Sequence, residues 1–247
     1  MQEPVSAEIA EPPLDCADDA PKNLYPVVPE YLRKVYWWAY LHPTGVRIFE
    51  RQWLVNLILW GNFVRLRNSA LDEMGTVIDG RTLQVACVYG DFTEKLAMRL
   101  APGANLDVVD VTPIQLQNLN QKIGSRRGIS LDCQNAGALA YEDSAFDQVV
   151  VFFLLHELPV EVRKKAISEA LRVVRPGGKV VFVDYHRPRR WHPHRYLMLM
   201  ILRTLEPFAM DLWKHEISYW LPQGITPSKI EKTLYFGGLY QKLVITR

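Results

Sequence analysis

Cysteine is scarce in this chain of 247 residues. Cys16, Cys87 and Cys133 stand apart with no CxxC pair. That spacing excludes a disulfide framework and fits a reducing, cytosolic setting. Cys87 and Cys133 sit in or beside apolar runs, where they are expected as small buried hydrophobes. A long apolar run is missing too. The longest, Trp53 to Val64, holds Asn56 and Asn62 and falls short of the roughly 20 residues a bilayer-crossing helix needs. No basic stretch followed by an apolar core opens the chain, so no secretory leader is expected. A dominant charge is also lacking. The formal net charge of +2 makes no global case for nucleic acid as a partner.

Glycine is missing where a nucleotide-binding loop would place it. Leu83-Gln84-Val85-Ala86-Cys87-Val88-Tyr89-Gly90-Asp91-Phe92 is an apolar run that ends in a small-residue turn. A helical pattern, Thr93 to Leu100, follows at once, and Asp110 closes a second apolar run twenty positions beyond Gly90. This is the layout of the first β-α-β unit of a nucleotide-binding sheet. Yet Ala86 and Val88 occupy glycine positions and only Gly90 remains. The layout points to a nucleoside cofactor, and the departures point to unusual chemistry there, or to none.

What is present is ample apolar content, 49%, enough for one α/β domain with a full core and extra helices. Charge is unevenly spread. Residues 31–70 carry Arg33, Lys34, Arg47, Arg51, Arg65 and Arg67 against Glu50 alone, and residues 187–203 hold five arginines and no acid. The stretch up to Ala20 is acidic. Such asymmetry is compatible with docking on an anionic surface or with solvated helix faces.

Three regions follow from the pattern. Residues 1–29, rich in Pro, Ala and acids, are expected to be a largely irregular tail. Residues 30–75 are expected as an amphipathic helical lid, with helices over Tyr31–Tyr40 and from Val46 to about Ala70, parted by His42-Pro43-Thr44-Gly45. Trp, Tyr, Arg and Lys there suit an interfacial helix as well as a lid over a core. Residues 76–247 read as one α/β domain. Its strands are expected at Thr82–Cys87, Leu106–Asp110, Ile129–Cys133, Phe146–Phe153 and Lys179–Asp184. Helices are expected from Asp91, from Pro113 to about Lys122, and from Glu161 to Val174, with a turn at Arg175–Gly178. Alternating strands and helices give a parallel, doubly wound sheet. A helical insertion, about 187–223, interrupts the rhythm. The chain is then expected to close with a short helix near Ser228–Glu231 and two antiparallel strands, Thr233–Phe236 and Tyr240–Thr246.

Five parallel strands closed by a final hairpin resemble the class I S-adenosylmethionine-dependent methyltransferase fold. The expected fold class is therefore α/β: a Rossmann-like, mostly parallel seven-stranded sheet with an antiparallel last strand, N-terminal helices and an insertion after strand 5. Asn135–Tyr141 before Phe146-Asp147 is similar to the stretch that contacts adenine in such enzymes. Leu154-Leu155-His156-Glu157-Leu158-Pro159, Leu171–Gly178 and Leu221–Gly224 resemble the lipid and quinone methyltransferases. Val85–Thr93 and Lys232–Lys242 look more narrowly like the rhodoquinone biosynthesis protein (RquA) family.

That resemblance implies conversion of ubiquinone to rhodoquinone. A ring methoxy group is replaced by an amino group, with S-adenosyl-L-methionine as amino donor and Mn2+ assisting. It implies cofactor contacts at Ala86, Val88, Tyr89, Gly90, Asp110, Val111, Thr112, Asn135, Ala136 and Phe153, with Asp110 on the ribose. Addition–elimination on a quinone needs a polarised carbonyl, a base for the amine and a proton or Lewis acid for methoxide. Expected catalytic residues are His156, Asp143, Tyr89 and His186. Expected metal ligands are His156, Glu157, Asp184 and His186, with Asp91 a further carboxylate at a strand end. His192 and His194 read as surface residues. The implied setting is cytoplasmic, peripheral to the inner membrane, with a membrane surface as partner. A conventional C- or O-methyltransferase acting on a quinone or lipid, and a non-catalytic quinone-binding scaffold, remain as alternatives. A dinucleotide oxidoreductase fits less well.

Overall fold

The computed structural model describes residues 28–40, 42–124 and 126–247. Most of the expected tail, residues 1–27, lies outside the described residues, and Cys16 with it. The described chain begins with a π-helical turn, Leu32–Tyr36, running into α1 (Trp37–Tyr40). α2 (Pro43–Phe49) starts on His42, whose Nδ1 accepts the Thr44 N–H at 3.2 Å. Pro43 at the first position needs no such partner. The sequence His42–Gly45 therefore opens a helix as well as ending one.

The helix expected from Val46 to Ala70 is three helices: α2, α3 (Gln52–Ile58) and α4 (Phe63–Met74). Arg51 is extended, and Trp60 and Gly61 both take positive φ. Asn62 closes α3 by donating its side-chain amide to the Leu59 and Trp60 carbonyls. A short polar side chain that satisfies helix-end carbonyls ends a helix that apolar periodicity alone would continue. α4 buries Phe63, Leu66, Ala70, Leu71 and Met74 against the sheet. Large side chains of this kind contribute about 1.5–3 kcal/mol each when fully buried.

The sheet comprises β1 (Arg81–Val85), β2 (Asn105–Asp110), β3 (Ile129–Cys133), β4 (Phe146–Phe152), β5 (Val174–Tyr185), β6 (Lys229–Tyr235) and β7 (Tyr240–Thr246). Their order is β3-β2-β1-β4-β5-β7-β6. β1 to β5 pair in parallel, and β7 runs antiparallel to both β5 and β6. Crossover helices α5 (Phe92–Ala97), α6 (Pro113–Ile123) and α7 (Val160–Val173) link the parallel strands. β4 and the second half of β5 are buried nearly throughout, as strands covered on both faces must be. The expected turn Arg175–Gly178 is an excursion within β5. Phe146 pairs with Val174 and Gln148 already pairs with Lys179, so the residues between bulge out.

The helix expected near Ser228–Glu231 is instead the start of β6. Lys229 pairs with Thr246 and the register continues to Tyr235–Tyr240. Only Tyr235 of β6 is buried. Backbone pairing with β7 holds most of this edge strand, so its side chains carry no alternation to betray it. The insertion after β5 forms α8 (Arg195–Leu205), α9 (Met210–Lys214) and a 3-10 turn, Ile217–Trp220. Among the described residues, no helix is long and apolar enough to cross a membrane.

Candidate active site

The strand order reverses at β1, with β2 on one side and β4 on the other. A parallel sheet keeps its ligand crevice at the carboxyl ends beside such a point. A cavity lies there. Its floor is the β1 loop (Ala86, Cys87, Val88, Tyr89), the end of β2 (Asp110, Val111, Thr112) and the turn after β3 (Gln134, Asn135, Ala136). Phe153, His156 and Glu157 follow from β4. Its roof comes from the N-terminal helices, including Tyr31, Tyr36, Phe49 and Phe63, and its far corner from Glu206. Of the ten expected cofactor contacts, only Gly90 does not line it.

Gly90 serves packing. Its φ is +81°, and a Cβ there would sit 2.9 Å from the Phe63 ring. Its N–H donates to Glu50 Oε1 at 3.3 Å. Glu50 also binds Lys122 and accepts from Asn118 at 2.6 Å, which clamps the α2–α3 junction onto the β1 loop and α6. Tyr89 makes a second clamp. Its hydroxyl donates to the Ala39 carbonyl at 2.6 Å and accepts from Gln115 Nε2 at 2.6 Å. Phe49 stacks on its ring. The bulk that replaces glycine in this loop thus ties down the helices above it.

Asp110 is held from two sides. Oδ2 accepts the Cys87 N–H at 2.8 Å, and Oδ1 accepts the Thr112 N–H at 2.8 Å and its hydroxyl at 2.5 Å. Burial raises its pKa while these bonds pull it back. A buried carboxylate with pocket-facing lone pairs suits hydroxyl donors such as those of a ribose. Asn135 Oδ1 accepts the Gly137 N–H at 2.8 Å and so shapes its own turn. Cys87 and Cys133 are half-buried free thiols, and burial pushes the Cys87 thiol up.

The polar centre is the pair His156–Asp184. His156 sits in a 3-10 turn, Leu155–Glu157, directly after β4, and Asp184 is the penultimate residue of β5. Parallel pairing of β4 with β5 brings them together. His156 Nδ1 lies 2.9 Å from Asp184 Oδ1, and the His156 and Tyr185 amides both donate to the same carboxylate. Burial lowers the imidazole pKa, but the charge and hydrogen bond of Asp184, with Glu206 and Glu157, overcome this and raise it to about 9. Its Nε2 stands 3.7 Å from Glu157 Oε1, beyond hydrogen-bond length. Tyr185 packs edge-on to the ring at 4.9 Å. The result is a buried imidazolium, oriented by a carboxylate, at the wall of a largely apolar cavity. It can donate a proton or a hydrogen bond to an oxygen bound there.

Sequence reasoning does not reach two residues that shape this centre. Arg163 of α7 is fully buried and donates to the Leu155, Leu158 and Phe208 carbonyls at 2.7–2.9 Å, with its guanidinium over the Trp220 ring. It fixes the turn that carries His156. Its signal was available, since it falls on the apolar stripe four residues before Ile167. Glu206 follows α8. Its carboxylate lies close to the Tyr36 hydroxyl, and its Oε2 is buried without a hydrogen-bond partner. Burial raises both pKa values. No local pattern marks Glu206, because its place depends on how the insertion folds back.

Two expected catalytic residues lie elsewhere. Asp143 precedes β4, at the opposite end of the strand from the cavity, where it is exposed and pairs with Arg172 at 2.7 Å. His186 is turned away. Its Nδ1 lies 2.8 Å from the Gly238 carbonyl and its Nε2 3.1 Å from Lys232 Nζ. Asp91 is engaged by Arg67 at 2.6 Å. His192 and His194 pack on Phe236, and His194 also stacks on Trp60.

The expected metal set does not converge. His186 faces the β6 side, Asp184 spends its oxygens on His156 and backbone amides, and His156 and Glu157 remain. No group of three or more His, Cys, Asp or Glu that could hold a metal occurs among the described residues. The donors present do not fit a hard cation such as Mn2+.

Comparison with known proteins agrees with this geometry. A family profile described as a methyltransferase domain matches residues 82–178. The demethylmenaquinone methyltransferase of Renibacterium salmoninarum is 36% identical over 135 residues, 54% of this chain and 53% of that one. The chain spans about half the length of the curated relatives it matches. Among solved structures, the PH0226 protein of Pyrococcus horikoshii is similar at 17% identity and TM-score 0.56, over 88% of this chain and 98% of that one. The N-methyltransferase NodS of Bradyrhizobium japonicum is similar at 20% identity and TM-score 0.54, over 74% and 95%. Sheet order, the antiparallel β7 and these likenesses together establish that the chain has the class I methyltransferase-like fold.

Proposed function

We propose that the chain is an S-adenosylmethionine-dependent transferase that modifies the ring of a lipid-soluble quinone. The observation that carries this reading is one cavity with apolar walls lined by both Asp110 and His156, the latter paired with the buried Asp184 behind it. Asp110, Thr112 and the Asn135 turn would hold the nucleoside, and the β1 loop its amino-acid part. The bound cofactor supplies an electrophilic sulfonium. The N-terminal helices act as a lid, fixed through Tyr89 and Glu50. His156 would donate to a ring oxygen. A charged imidazole there stabilises negative charge on that oxygen and so favours either attack by the ring or attack on it. The name carried by the matched relatives, demethylmenaquinone methyltransferase, supports a quinone as the acceptor.

The transferred group has two readings. Methyl transfer is favoured by those relatives. Replacement of a ring methoxy by an amino group, taking ubiquinone to rhodoquinone with S-adenosylmethionine as amino donor, is favoured by the resemblance at Val85–Thr93 and Lys232–Lys242. It is also favoured by the loop Ala86–Tyr89, whose side chains crowd the place where glycines leave room for the cofactor's methionine part. Mass spectrometry of the quinone after incubation with S-adenosylmethionine tests both. A methyl gain supports the first and a methoxy-to-amino change the second. An unchanged quinone overturns the enzymatic reading.

A further inference from the structure

Beside the cavity the chain presents large apolar side chains that no other described residue covers. Trp191 is 91% exposed, Tyr196 77%, Leu57 and Met200 64% and Trp53 61%. They are not scattered. In α3 no residue is buried although the helix reads Gln-Trp-Leu-Val-Asn-Leu-Ile. Val55 and Ile58 line the cavity, while Trp53 and Leu57, four residues apart, share an outward face. In α8 Met198 and Leu202 are buried, and Tyr196, Leu197 and Met200 face out. The two faces adjoin: the Trp60 ring stacks on His194 at 4.4 Å and its Nε1 donates to Met198 Sδ at 3.0 Å.

Arginines surround this patch. Arg47 lies in α2 and Arg51 caps the start of α3, and Arg187, Arg189 and Arg190 lead into Trp191. All five are exposed. None of them has an ion-pair partner among the described residues. Glu50, the single acid between residues 31 and 70, is already bound to Lys122. A second copy of the chain would cover the apolar part, but a symmetric contact would set arginine against arginine. A nucleic acid would take up the charge and leave Leu57 and Met200 in water. A surface with anionic headgroups over an apolar interior satisfies both, and Trp and Tyr favour that boundary.

We propose that this face docks on an anionic lipid bilayer. Trp53, Leu57, Trp191, Tyr196 and Met200 enter the headgroup–acyl boundary, and Arg47, Arg51, Arg187, Arg189 and Arg190 meet lipid phosphates. The docking rests on the quinone reading for its purpose. α3 is the wall between the bilayer face and the cavity, so a quinone ring can reach His156 while its tail stays in the membrane.

Flotation of the full chain tests this, with vesicles of phosphatidylcholine alone and of phosphatidylcholine mixed with phosphatidylglycerol. The chain is expected to float with the mixed vesicles and to be released as salt rises. The variant Trp53→Glu/Trp191→Glu is expected to bind them at least about tenfold more weakly. Neither side chain lines the cavity, so its melting temperature and its turnover of a short-tailed, water-soluble quinone should match the parent's. Flotation without turnover of any quinone supports docking and overturns the quinone reading alone. Turnover of the soluble quinone by a chain that never floats overturns docking alone. A variant that floats like the parent, or a dimer that forms through this face in place of vesicle binding, also overturns it.

Discussion

Replacing Asp184 by Asn should change how stability depends on pH. Asp184 is fully buried and accepts from His156 Nδ1 at 2.9 Å. Asn keeps the shape and can still accept the Tyr185 amide, but it removes the charge that offsets the burial of the imidazole. In the parent, the His156 pKa rises from 6.5 to about 9. The folded state therefore holds that proton more tightly than the unfolded chain. The difference of about 2.5 in pKa, at about 1.4 kcal/mol each, corresponds to roughly 3–4 kcal/mol. Because the folded pKa is the higher one, this stabilisation is fully present below pH 6.5. It is lost as pH rises through about 9. In Asp184→Asn the main counterweight to burial is gone and only Glu206 and Glu157 remain, so the pKa falls and the loss across that window shrinks. Urea unfolding at a series of pH values reads the difference, and the His156 ring resonance reads the titration directly. A parent resonance that titrates near 6.5, or stability curves that stay parallel in parent and variant, would refute the argument.

Three further outcomes follow from single contacts. Arg163→Leu strands the Leu155, Leu158 and Phe208 carbonyls inside the protein. It should cost about 3 kcal/mol or more in urea unfolding, and a loss under about 1 kcal/mol would mean water replaces the guanidinium. Gly90→Ala meets the Phe63 ring at a φ that disfavours any side chain. About 2 kcal/mol of lost stability is expected, and a neutral result would show that Phe63 moves aside. Asp110→Asn should weaken binding of S-adenosylhomocysteine roughly tenfold or more by calorimetry, as a charge-assisted bond to a hydroxyl contributes about 1.5–3 kcal/mol. Unchanged affinity would remove Asp110 from the nucleoside site.

Much of the architecture was legible in the chain itself. The continuous apolar runs of β4 and β5, the Pro113 helix start and the acid closing β2 report local requirements of a covered parallel sheet, and they suffice to set Ala86, Asp110 and Asn135 at one end of it. Elements that depend on neighbours were not legible. β6 has no apolar alternation because backbone pairing with β7 places it and all but Tyr235 face away from the core. The break at Trp60-Gly61 rests on a side chain, Asn62, that satisfies carbonyls the pattern cannot see.

The polar site divides in the same way. His156 and Asp110 could be named from their positions at strand ends. That His156 pairs with Asp184, and not with His186, follows from where β5 ends: Asp184 is still in the strand beside β4, whereas His186 lies past it, with its Nδ1 at the Gly238 carbonyl. Asp184 points to the turn after β4, and His186 falls to the β6 side. Glu206 reaches the cavity only because the insertion folds across it, and Asp143 is excluded only because its loop lies at the other end of β4. Sequence alone determined the parallel strands and their crossover helices, since periodicity and end signals act within a few residues. Tertiary structure decided which ionisable groups meet, because burial and pairing act between residues 28 and more positions apart in the chain.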